Sequence, residues 1–94
     1  MPVEPITLDE CRPQVRQFAL QMERKLRQND HKPGWENDSF DELFARMLEE
    51  AGEVLIARIT GDDPAGEIAD VANFAMMIWD NLTRQIDEHP TASV

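Results

Sequence analysis

Two long stretches in which apolar residues recur every three or four positions are separated by only Gly61, Asp62 and Asp63, and this spacing predicts an antiparallel pair of helices. In the first stretch Phe40, Leu43, Phe44, Met47, Leu48, Ala51, Val54 and Leu55 share one face. Ser39 and Glu42 have capping-box spacing at its start, and Gly61 suits the C-terminal cap after Thr60. Asp63 and Pro64 then form a cap and first-position pair for the next helix. Its stripe is Ile68, Val71, Phe74, Ala75, Ile78, Trp79, Leu82 and Ile86, running to about Glu88 and stopping before Pro90. Upstream, Val15, Phe18, Ala19, Met22 and Leu26 predict a further helix to about Asn29. Thr7 and Glu10 have the spacing to open it, with Pro13 in its first turn or at a kink. The segment from Asn29 to Ser39, with Pro33-Gly34 and Trp35, reads as a loop, and residues 1–6 and 89–94 read as a loose leader and tail.

The expected architecture is a single all-α domain over residues 1–94, a helical bundle of about three helices. Ala72, Met76 and Met77 lie off the main stripe of the last helix, so that helix is apolar around most of its circumference and needs neighbours on several sides. A chain this short also buries only about 60–65% of its unfolded surface. Completion of the bundle by a second copy, in a homodimer or homotetramer, is therefore expected. Phe74 and Trp79 read as core.

No apolar run is long enough for a membrane span, and the acidic start lacks the basic and apolar regions of a signal peptide, so no membrane partner is expected. The lone Cys11 cannot form an intramolecular disulfide, and no Cys/His cluster has zinc spacing; both fit a reducing, cytoplasmic setting. A formal net charge of -10 repels a phosphate backbone and disfavours ordinary nucleic-acid binding. Excess acid of this size is a solvated surface, a polyanion mimic or a cation site, and only the positions of the acids separate these.

The first helix of the pair carries Glu49-Glu50-Ala51-Gly52-Glu53 and the second Glu67-Ile68-Ala69-Asp70. Residues three apart lie about 60° apart around a helix, so Glu50 with Glu53, and Glu67 with Asp70, each form a two-carboxylate pincer. Glu50 and Glu53 border the apolar face, and Glu67 falls inside an apolar stripe. The short turn places the two pincers at similar heights, so four carboxylates are expected to converge. Two ionised carboxylates about 4 Å apart repel by roughly 4 kcal/mol at an effective dielectric near 20, which a cation or a proton relieves. Hard divalent ions suit oxygen ligands, and Mg²⁺, which keeps waters and shares substrate phosphates, suits this set better than a closed Ca²⁺ cage. Glu-rich helix surfaces are common, and an exposed Glu49 is equally well a solvated residue.

EEAGE followed by EIAD, with HKPGW upstream and DVANFAMMIWDN downstream, resembles the MazG-like all-α nucleoside triphosphate pyrophosphohydrolases, in particular small phage and bacterial members, over roughly Phe18 to Leu82. The resemblance implies Mg²⁺, or Mn²⁺ in its place, on Glu50, Glu53, Glu67 and Asp70. It implies a supporting or water-orienting role for Glu49, and dimers or dimers of dimers. The implied reaction is hydrolysis of a nucleoside triphosphate, expected here to be a deoxynucleotide, to the monophosphate and pyrophosphate. Water attacks the α-phosphorus, and Glu49 or Glu50 takes its proton. This chain has a single module, without the duplication of full-length MazG.

Four further residues are candidates for substrate contact. Lys32 is either a phosphate contact or a solvated loop lysine, and His31 is equally ambiguous. Trp35 either stacks on the base or covers a small core. Asn73 is either a hydrogen-bonding contact to base, sugar or phosphate or a polar spacer between helices. A competing class is an acidic helical interaction module, such as a DNA mimic. Asp9, Glu10, Asp38, Asp41, Glu42, Asp87 and Glu88 supply its charge, but it gives no reason for Glu67 in an apolar stripe.

Overall fold

The computed structural model describes residues 4–88, with side chains as far as Arg84. Residues 1–3 of the expected leader, the expected tail, Pro90, and the side chains of Ile86, Asp87 and Glu88 lie outside what is described. A single 3-10 turn, Leu8–Glu10, precedes three helices: α1 (Pro13–Gln28), α2 (Phe40–Thr60) and α3 (Ala65–Glu88). The described residues contain no strand, and no helix among them is long and apolar enough to cross a membrane.

The helix ends follow the local chemistry. Ser39 Oγ accepts from the Glu42 N–H at 3.1 Å, capping α2, and its hydroxyl donates to the Glu42 carboxylate at 3.0 Å in place of the backbone bond that would complete the expected box. Gly61, at φ 87°, takes the left-handed conformation that ends α2. Asp63 Oδ1 then accepts from the Ala65 N–H at 3.0 Å at the start of α3. The N-terminal box behaves differently from expectation. Thr7 donates through its N–H and hydroxyl to Glu10, but the chain goes extended at Cys11, and α1 starts afresh with Pro13 in its first turn. Proline lacks the N–H that continuation from the earlier turn requires.

Helix α3 is the centre of the molecule, packing on α2 along one side and on α1 along another. The seam on α2 is narrow: Leu43, Met47, Glu50, Val54 and Ala57 are buried or half-buried, at the alternating four- and three-residue spacing of a two-helix seam. A glutamate thus occupies one of five seam positions. The wider stripe expected from the sequence is not covered within the chain, since Phe40, Phe44, Leu48 and Leu55 are exposed. On α3, Ile68, Trp79 and Leu82 are exposed as well, Trp79 by 64%, so Trp79 is not core in the single chain. Helix α1 buries no residue completely, and of its expected stripe only Met22 and Leu26 are half-buried. The Cα radius of gyration is 15.8 Å, larger than the roughly 13 Å of a compact chain of about this length.

Candidate functional site

The seam glutamate meets the two acids of α3. Glu50, Glu67 and Asp70 each offer a carboxylate oxygen within 4.8 Å of the others, and all three side chains are half-buried. Glu67 and Asp70, one turn apart at the start of α3, are brought to the level of Glu50 by the turn at Gly61. Burial pushes the Glu50 carboxyl above its ordinary value. The charges of Asp70, Glu67 and Glu53 push the same way, and Lys25 opposes them.

Glu53 does not join the three. It is exposed, one position off the seam, and acts on Glu50 only through its charge. Glu49 is exposed and also outside the cluster. The four-carboxylate expectation therefore reduces to three, because the α2 seam follows a narrow 3.5-residue repeat that includes position 50 and turns position 53 outward.

The donor chemistry fits a hard divalent ion. Opposite ligands of an ion bound at ~2.1 Å lie ~4.2 Å apart, within the 4.8 Å that bounds the three oxygens, and every donor is a carboxylate oxygen. Asn73, one turn beyond Asp70, is only 4% exposed. Its amide donates to the Met22 carbonyl of α1 at 3.1 Å, which fixes the side chain and leaves Oδ1 without a donor. A buried acceptor left unpaired costs about 1–3 kcal/mol.

Glu50, Asp70 and Asn73 form part of the wall of a groove of about 720 Å³, within the size range of small-molecule sites. The loop after α1 runs along it and contributes Lys32, Pro33, Gly34 and Trp35. His31, in contrast, is exposed and does not line the groove. Phe74, expected in the core, is a half-buried groove residue with the Arg46 guanidinium 4.9 Å from its ring centre. Trp35 is docked on α3: its indole N–H donates to Asp80 Oδ2 at 2.9 Å, and its carbonyl accepts from Asn81 at 3.0 Å. It is thus both a lid on α3 and a wall of the groove.

Sequence reasoning passed over Lys25, Arg46 and Asp80. Lys25 Nζ lies 3.3 Å from Asp70 Oδ2. Its signal was present, since Lys25 stands three residues after Met22 and seven after Phe18, a cation on the expected stripe of α1. Arg46 stands one turn before Glu50 on the same helix face, where its fork is directed to the groove. Comparison with protein-family models, curated proteins and solved structures gives no match.

Proposed function

We propose that this chain is a Mg²⁺- or Mn²⁺-dependent nucleoside triphosphate pyrophosphohydrolase of the MazG-like kind. The observation that carries the reading is the meeting of Glu50, Glu67 and Asp70, two of which, Glu50 and Asp70, line a groove that also holds cations and aromatic rings. The same three acids belong to the EEAGE and EIAD motifs on which the family resemblance rests.

Bound at these acids, the ion supplies Lewis acidity at phosphorus and lowers the pKa of water. The chain's own residues do the remainder. Lys32 and Arg46 neutralise the polyphosphate along the groove, Arg46 as a planar fork steadied by Phe74. Trp35, anchored through its N–H, offers a fixed ring face to a base. Asn73 Oδ1 is a buried acceptor without a partner behind the groove wall, which a donor reaches only if the wall gives way as the ligand binds. Water adds to the α-phosphorus, the bond to the bridging oxygen of pyrophosphate breaks, and the water's proton passes to Glu49 or Glu50.

A second copy completes the bundle in this reading. Phe44, Leu48, Leu55 and Ile59 of α2 and Ile68, Trp79 and Leu82 of α3 recur at helical spacing on faces that the single chain leaves open. Pyrophosphate release from a panel of ribo- and deoxynucleoside triphosphates, with Mg²⁺ or Mn²⁺ and with EDTA as control, tests the function. Metal-dependent release that disappears in Asp70→Asn is expected. Absence of release from every nucleotide, with the protein folded and the ion bound, overturns it in favour of an acidic binding module.

A further inference from the structure

Lys25 comes to the acid cluster from α1, the helix that carries none of the acids. Its ammonium is 3.3 Å from Asp70 Oδ2, and Asp70 is its only ion-pair partner among the described residues. It also lies over the first turn of α3, where a methyl group added at Gly66 would sit 3.9 Å from Nζ. That is the positive end of the helix dipole, a place where a cation is disfavoured. The acids, and not the helix end, hold Lys25 there. A lysine ammonium is a compact charge on a flexible stem, so it leaves by stem rotation without moving either helix. It lines the same groove as Lys32 and Arg46.

We propose that Lys25 is an exchangeable counter-cation. It offsets the mutual repulsion of Glu50, Glu67 and Asp70 while no divalent ion is bound, leaves Asp70 when the ion arrives, and then presents its ammonium to the polyphosphate in the groove. The proposal rests on the reading of the three acids as a divalent-cation site. It adds a positioning residue that moves between two partners, a role that a fixed structural ion pair does not have.

The test is calorimetric titration of MnCl₂ into the metal-free full chain, comparing wild type with Lys25→Met and Lys25→Arg. Titration of a non-hydrolysable α,β-imido nucleoside triphosphate at saturating Mn²⁺ follows. Lys25→Met removes the competitor, so Mn²⁺ binds about two- to fivefold more tightly, the span expected for losing one partly solvated ion pair. The nucleotide analogue then binds more weakly by a similar factor. Lys25→Arg keeps the charge and stays near wild type in both titrations, which also controls for folding.

A purely structural lysine predicts the opposite first result, since loosening α1 weakens ion binding. Unchanged or weaker Mn²⁺ binding in Lys25→Met, with wild type binding the ion normally, overturns the exchange and leaves the cation site standing. Tighter Mn²⁺ binding without weaker analogue binding removes the phosphate contact. No Mn²⁺ binding to wild type overturns both the exchange and the metal-site reading.

Discussion

Helix α3 carries two polar clusters, and they are built on opposite terms. Near its C-terminal half, Asp80, Asn81 and Arg84 satisfy one another and the loop before α2. Asp80 accepts from Trp35 and from Arg84, while Asn81 donates to the Trp35 and Asp38 carbonyls and accepts from Arg84. Those two hydrogen bonds hold the Asp80 carboxyl below its ordinary value, the one from Trp35 more than the one from Arg84. Near its N-terminal half, Glu67 and Asp70 are pressed against Glu50, with Lys25 on Asp70 as the only ion-paired cation of the cluster among the described residues, and Asn73 keeps an unpaired oxygen. The first cluster is a closed network that fastens a loop. The second has repulsion and an open acceptor built into it, the condition expected of a site that waits for a ligand.

The contrast is broken most forcefully by removing acids from the open cluster. Asp70→Asn or Glu67→Gln is expected to lower kcat/KM for pyrophosphate release by more than roughly 100-fold, the upper loss seen for residues that only support a metal ligand. The fold is expected to persist, as checked by circular dichroism. In the closed cluster the expected loss is of stability. Asn81→Ala strips two loop carbonyls of a buried donor and is expected to destabilise the chain by about 1–3 kcal/mol in urea unfolding. A variant at Asn81 that retained full stability would show that the loop is not fastened there.

Glu50→Gln sharpens the comparison in the other direction. The folded-state value of Glu50 is raised, so the stability it contributes is complete below its ordinary 4.5 and is lost as the pH rises through the raised value. At neutral pH the charge therefore opposes folding. Glu50→Gln is expected to raise the metal-free stability by about 0.2–1 kcal/mol, the scale of partly solvated charge interactions, while abolishing ion binding. Differential scanning calorimetry in EDTA reads this, and a lowered midpoint would mean that Glu50 is held by favourable contacts instead.

The smallest effect is the pH response of the loop. Asp80 is depressed, so its contribution is present above the ordinary aspartate value of 3.8 and is lost only as the pH falls through the depressed one. Trp35 fluorescence in a Trp79→Phe background is expected to stay constant down to about pH 3.8 and to change below it. A change beginning well above that value would contradict the Asp80 anchor.

Which parts were legible in the sequence follows from the range over which each is determined. Ser39 with Glu42, Gly61, and Asp63 are local devices, and each caps the helix end expected, although α3 begins at Ala65, one residue after Pro64. Thr7 with Glu10 is equally local, yet its turn is cut off from α1 by the extended backbone at Cys11. Glu50, Glu67 and Asp70 were legible because helical period and turn length together set their heights. Glu53 was misplaced because the apolar face of α2 reads as one wide stripe, although only the narrow seam of Leu43, Met47, Val54 and Ala57 is covered by α3. Phe44, Leu48 and Leu55 belong to a second face, which periodicity alone does not separate from the first. Lys25 and Asp80 act through partners on other elements, and that pairing is a tertiary property.

The measurement closest to the centre of this contrast is Mn²⁺ binding by electron paramagnetic resonance in wild type, Asp70→Asn and Asp80→Asn. Binding in wild type and Asp80→Asn, with loss in Asp70→Asn, is the result predicted if the open cluster is the cation site and the closed one a loop anchor. Equal binding in all three proteins, or loss confined to Asp80→Asn, would contradict it.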